Sequence, residues 1–525
     1  MPAPPEVEQA FASTFKLIFG ECNRPLDFYG DYLLSAHHPA FQQSSCISGK
    51  PIALSSDRYA KDERFVSQDE IGALPKAAAL DINQIKDVDS IVQALSERAY
   101  YTGNKRFGSS EYIAESDNCL DSFHVWRSHT VQASKYVAYS SYVRENSEHV
   151  FGGTTMLRSK FLIRCLAADS LSRSFESHFC ITSSDLFFCF GLVACSDAMF
   201  SFNLHSRRNC IGNLQLPKER YLALRKKLMG ESREYLEKHG KFHSMFACPP
   251  PSKGDLAPLP LARKAEAPFD IRPVEQAFRS ATKVVLGKEL GPMDRFLPLL
   301  RRRTRPIREI RTSFGGKAYC TDVLMYPYCT PSRLVNNGES AALGERRMEL
   351  GAGESPGLDE MLRKISPIEF IRAEFHEGQN SNCAVGQTFY DASNIYDVYD
   401  ATLAKNCAHD TMAFHAEACF GCWRAIHSKY CINCHDCHGL SACFEMDGCA
   451  NCSSSMYCHN CENLDNCMFC FNAKGLRYAV GNVEVGPEKY RLLKKRVCDE
   501  LVRQLEETGD VKWDVCSLGA KKKER

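Results

Sequence analysis

From Cys383 to Ala479 every third residue is small or apolar, with few exceptions, and all 14 cysteines of that stretch share the one register. An α-helix repeats at 3.6 residues and a flat strand at two, so neither holds such a stripe straight over this length. The pattern calls for a backbone that turns back on itself in stacked layers and sends one side chain of each triplet inward. A bundle of polyproline II strands also repeats at three, but this stretch has no proline and little glycine. Cys449/Cys452, Cys458/Cys461 and Cys467/Cys470 add a nine-residue period. Nine residues of ~3.3 Å close a loop of only about 30 Å perimeter, too narrow for inward side chains, so about eighteen residues per turn are expected. Asn433, Asn451, Asn460 and Asn466 each precede a cysteine, and asparagine suits tight left-handed corners.

The chain is also a tandem duplication. At an offset of 269 residues, Phe200-Ser201-Phe202-Asn203 lies on Phe469-Cys470-Phe471-Asn472, and Cys165, Cys180 and Cys189 lie on Cys434, Cys449 and Cys458. The first copy keeps the triplet register from Cys119 through Val143 and, after a shift, from Val150 through Cys195. Pro217 and Pro487 each open a helix with an apolar stripe, and a run from Cys248 to Pro268 reads as an extended proline-rich linker. The expected fold class is therefore mainly β. It comprises two tandem β-helix-like solenoids with a triplet inward register, each capped by an α-helix, plus smaller α+β N-terminal segments. The expected boundaries are an α+β segment over 1–110, a first solenoid over 111–216, a capping helix over 217–247 and the linker over 248–268. A second α+β segment over 269–372, the cysteine-rich solenoid over 373–486, and a helix and tail over 487–525 complete the chain.

The Asn-Cys-x-x-Cys units between Asn433 and Tyr490, followed by Arg477-Tyr478-Ala479-Val480-Gly481-Asn482 and Glu488-Lys489-Tyr490, resemble a family of uncharacterised cysteine-rich proteins of uncultured bacteria and archaea. Phe269-Asp270-Ile271-Arg272-Pro273, the Arg301-Arg302-Arg303 run and Cys46-Ile47-Ser48-Gly49-Lys50-Pro51-Ile52 are similar to its N-terminal part. The resemblance implies no activity. The paired cysteines of that family's small metal ribbon are reduced here to Cys22 and Cys46, and to Cys320 and Cys329 in the second copy.

Two readings of the cysteines stay open. Cys-x-x-Cys units can hold zinc, since thiolates three positions apart can share one tetrahedral ion; the candidate ligands are Cys431, Cys434, Cys449, Cys452, Cys458, Cys461, Cys467 and Cys470. Against this, the first copy carries Leu162, Ser183, Leu192, Ala198 and Ser201 opposite Cys431, Cys452, Cys461, Cys467 and Cys470. Ligands do not drift to leucine while a fold persists, whereas packed positions do, and free cysteine is a small buried filler. His435, His438 and His459 lie off the inward register and are expected to face solvent. Gly353-Glu354-Ser355-Pro356-Gly357 matches a nucleophile elbow literally, yet Pro356 has no N–H for an oxyanion hole, so a loop is expected. Arg301, Arg302, Arg303, Arg305 and Arg308 are candidate contacts for nucleic acid or an acidic partner, with pairing to the chain's own acidic surface as the leading alternative. Lys521-Lys522-Lys523-Glu524-Arg525 reads as a solvated tail.

A net charge of +1 gives no global attraction to polyanions, and no segment has the apolar length of a membrane span. The N-terminus lacks the pattern of a signal peptide, and 27 cysteines, an odd number, argue against a complete disulfide framework. The expected setting is cytoplasmic and reducing. The leading expectation is a non-enzymatic structural or protein-interaction scaffold with protein partners. Zinc binding is the alternative, and a thiol redox enzyme is the weaker third class. No small-molecule substrate is evident.

Overall fold

The structure is a computed structural model that describes residues 2–35, 40–74, 87–96, 99–261, 268–322 and 326–519. The basic tail Lys521 to Arg525 lies outside the described residues. Two units emerge: Met1–Ala40, Gly108–Ala265 and Glu309–Phe375 make the first, and Phe41–Phe107, Glu266–Arg308 and His376–Arg525 the second.

Short extended pieces separated by left-handed corners generate both units. Almost every third residue of the two repetitive regions has positive φ, including Asn433 at 53°, Asn451 at 53°, Asn460 at 50° and Asn466 at 52°. Each corner bends the chain, and the backbone between corners bonds to the next layer. In the second unit Asp447 N–H donates to the Cys458 carbonyl at 3.0 Å and Ala450 N–H to the Cys461 carbonyl at 2.9 Å. The parallel register advances twelve residues per layer, as in Glu111↔Phe123 and Asp465↔Arg477. One layer of the first unit takes thirteen, as in Lys135↔Glu148. The extra residue sits where Glu145 and Asn146 are both left-handed, at φ 56° and 60°, which accounts for the register change between Val143 and Val150. The inward positions form one apolar column per unit, running from Ile113 to Cys210 and from Phe389 to Ala479.

These observations correct the expected fold class. The chain is mixed α/β, with 26% helix and 33% strand and an eleven-strand run of parallel strands, rather than mainly β with two β-helix-like solenoids. A period of three reports only that one side chain per triplet points inward. It does not report how much helix is laid over the outer faces. The expected eighteen residues per turn also fails, because a corner at every third residue closes a layer after four triplets.

Helices supply that outer layer. In the first unit the Pro5–Phe19 helix packs Phe11 against Phe151 at 5.2 Å and Phe19 against Phe175 at 5.0 Å. In the second, the Arg272–Leu286 helix packs Phe278 against Phe420 at 5.2 Å. The duplication extends to details: Leu26 N–H donates to Glu8 at 3.0 Å and Met293 N–H to Glu275 at 2.9 Å. Gly152 and Gly421, at φ 71° and 70°, occupy matched corners where a Cβ would come within 2.8 Å of Leu33 and Leu300 respectively. The Lys218–His239 and Pro487–Thr508 helices follow the two columns, burying Tyr221, Leu224 and Leu228, and Tyr490, Leu493 and Val497. Among the described residues, no helix is long and apolar enough to cross a membrane.

The small α+β segments are traded between copies. Residues 41–107, from the first copy, belong to the second unit, and residues 309–375, from the second copy, belong to the first. Their equivalence shows in matched capping boxes, Ser67 with Glu70 and Asn336 with Glu339. It also shows in matched parallel pairs, Phe65↔Tyr101 and Leu334↔Ile371.

Candidate functional site

The cysteines proposed from sequence as metal ligands line the inner column of the second unit. Cys431, Cys434, Cys449, Cys452, Cys458, Cys461, Cys467 and Cys470 are at most 2% exposed. Their thiols point at backbone carbonyls: Cys449 Sγ donates to the Asp447 carbonyl at 3.3 Å and the Cys458 carbonyl at 3.4 Å, and Cys461 Sγ to the His459 and Cys470 carbonyls at 3.2 and 3.4 Å. Among the described residues, no three of these cysteines bring their sulfurs within 4.8 Å of one another. A shared tetrahedral ion with bonds of ~2.3 Å would require closer convergence. Burial pushes the Cys180 thiol of the first column up to about 12 and raises Cys443 in the second. Among the described residues no cysteine forms a disulfide.

Polar chemistry gathers instead outside the column, on the face packed against residues 41–107. Asp447 sits between two histidines: His459 Nδ1 lies 2.6 Å from its Oδ2 and His435 Nδ1 3.0 Å from its Oδ1. Thr102 N–H donates to His459 Nε2 at 2.9 Å, which assigns the imidazole proton to Nδ1. The Tyr59 hydroxyl donates to Asp447 Oδ2 at 2.9 Å. Burial alone would raise the Asp447 carboxyl, but the hydrogen bonds from His435 and His459 outweigh it and hold the group well below its ordinary range. His435 and His459 are 1% and 0% exposed, so the expectation of solvent-facing rings is corrected for both; His438 is half-buried. The physical reason is the traded segment, whose Tyr101 ring packs 4.8 Å from His459.

Beside this group lies the arginine run. Arg301 pairs with Asp397 at 2.8 Å. Arg302 reaches Asp510, and also Glu445 at 3.5 Å. Arg303, 2% exposed, bridges Glu445 and Asp514, the latter at 2.6 Å; burial works against its charge, and the two carboxylates outweigh that and hold the guanidinium charged. Glu445 is fully buried and also accepts from Asn433 and from Val515 N–H. Arg305 lies over Trp423 at 5.8 Å, and Arg308 is exposed. The run is thus anchored largely within its own unit. The Gly353 to Gly357 match is a loop before the Leu358–Lys364 helix, with Glu354 paired to Lys364 at 2.5 Å.

Sequence reasoning missed the buried glutamates. At the 269-residue offset Glu445 falls on Glu176, which is 1% exposed and is held by Arg164 at 3.2 Å, His178 at 3.0 Å and the Tyr32 hydroxyl. An acid at one corner of both copies was the available signal. Compared with known proteins, the chain matches no family model, no curated protein and no solved structure.

Proposed function

We propose that the chain is a non-enzymatic structural or protein-interaction protein of a reducing intracellular compartment, with its cysteines used as packing groups. The observation that carries this reading is the thiol column. Its sulfurs are buried, donate to carbonyls, and stand opposite leucine, serine and alanine in a first copy that keeps the same layer geometry. Cysteines without disulfides among the described residues fit a compartment that keeps thiols reduced. With the interior filled this way, recognition falls to the outer corners and the helices laid against them, and the partners are proteins. The test is cross-linking of the full chain in its native source: a stoichiometric protein complex is expected, and a chain that stays alone would overturn the reading.

Zinc binding is the second reading, favoured by the way Cys419 lies against Cys407, Cys422 and Cys431. Elemental analysis of protein purified without chelator separates the two. Substoichiometric metal is expected, with every thiol titrating after unfolding. Stoichiometric zinc that is lost in Cys449→Ser would overturn the packing account.

A further inference from the structure

A cavity of about 420 Å³ opens in the second unit beside the Asp447 group, lined by Arg58, Arg302, Arg303, Thr304, Arg305, Pro306, Asp514 and Cys516. Four arginines and one aspartate line this space. Arg302 and Arg303 spend part of their donors on Glu445, Asp510 and Asp514, but the buried Arg303 Nε has no hydrogen-bond partner. Arg58 pairs with no carboxylate among the described residues: one of its amino groups donates to the Arg303 carbonyl, and its guanidinium rests 4.3 Å from the centre of the Trp423 ring. A guanidinium carries five donors in a fixed fork, so most of those on Arg58 remain for a ligand. Burial first, and then the neighbouring Arg303 and Arg305, weaken the hold of Arg58 on its proton. Arg58 therefore presents a guanidinium to this cavity without an ion pair of its own among the described residues, with Asp436 acting on it only through space.

Trp423 makes the arrangement rigid. It is 7% exposed, carries Arg58 and Arg305 against its ring, and stacks on His435 at 6.1 Å. Arg303 is held by Glu445 and by Asp514 on the cavity wall. A cluster of arginines held in place before binding, on a site partly shielded from water, suits an oxyanion that accepts several charge-assisted hydrogen bonds at once. The volume admits a phosphate with a small attached group and excludes a folded chain.

We propose that this cavity binds a compact phosphate-bearing anion, with Arg58 and Arg305 as the specificity-determining cations and Arg303 Nε as a further donor. The ligand is either free orthophosphate or a phosphomonoester; the shared chemistry is a dianionic tetrahedral oxyanion. Arg58 comes from the first copy and Arg303 and Arg305 from the second, so the site is completed by the traded segment.

Isothermal titration of the full chain at fixed ionic strength tests this, using sodium phosphate, adenosine monophosphate and sodium chloride as probes. Saturable binding of phosphate or of the monophosphate is expected, with the tighter of the two naming the source, and no saturable heat with chloride. Arg58→Gln and Arg305→Gln should each weaken binding by about tenfold or more, whereas the exposed Arg272→Gln should leave it unchanged. Arg58→Lys keeps the charge without the fork and should fall between. Should the glutamine variants fail to fold, phosphorus NMR line broadening of orthophosphate by the parent chain, reversed by excess monophosphate, supplies the same reading. Equal responses to phosphate and chloride, unchanged affinity in Arg58→Gln, or binding of duplex DNA without binding of either small probe would overturn the proposal.

Discussion

At the scale of single residues, the inner and outer positions of each layer respond to substitution in different ways. Cys449→Ala and Cys452→Ala remove a buried sulfur and should each cost about 1 to 2 kcal/mol in denaturant unfolding; complete loss of folding from either would indicate a shared ion instead. Asp447 has a folded pKa depressed below its unfolded value. Its contribution is therefore present above about pH 4 and lost as pH falls through the folded pKa. Asp447→Asn should cost about 3 kcal/mol at neutral pH, because two histidines lose their buried partner, and should flatten the acid limb of a urea-midpoint profile. Asp410 behaves in the opposite sense. It occupies an inward position, accepts from Cys422 N–H at 2.6 Å, and burial raises its carboxyl well above the ordinary range. Its protonated form is the folded form, so parent stability should decline as pH rises above about 4. Asp410→Asn should lack that decline, and unfolding midpoints at pH 5 and pH 8 decide it. The inward residues were legible in sequence because every layer repeats them. His435 and His459 were not, since an off-register residue is solvent-facing only if nothing folds over it, and the periodic stretch carries no sign of its cover.

At the scale of elements, the corner sets the geometry and the neighbour sets its tolerance. Gly475, at φ 67°, has open space where a Cβ would stand, while Gly421 has Leu300 within 2.8 Å. Gly475→Ala should cost about 1 kcal/mol, the penalty of a left-handed alanine. Gly421→Ala should cost clearly more, and the difference in urea midpoint measures the packing of the Leu300 segment on that corner. The nine-residue spacing of the cysteine pairs misled the expected layer size for a related reason. Cys449 Sγ donates to the carbonyl of Cys458, so nine residues span three of the four sides and mark a neighbour one side short of a full layer. The twelve-residue step lies in backbone hydrogen bonds and in outward ladders such as Asn382, Asn394 and Asn406, a signal the inward triplet register does not contain. The helices after Pro217 and Pro487 were legible because proline at the start and an apolar stripe are local signals.

At the scale of the whole molecule, the duplication was legible from end to end, but the trading of segments was not. A segment shows the same apolar pattern whether it covers its own copy's column or the other's. If residues 1–265 and 266–525 are produced as separate chains, each lacks the piece that covers its column. Each should be poorly folded alone, and the two should co-purify as one stoichiometric species when expressed together. Soluble, cooperatively unfolding single halves would count against the exchange. The same feature carries a genetic consequence. Recombination between the two repeats would excise one of them and leave a gene of half the length. Its product would have a column but no second repeat to cover it. Two such molecules, each lending its segment to the other, would restore both covers, so the loss of a repeat would turn an architecture completed within one chain into an obligate pair without changing any residue.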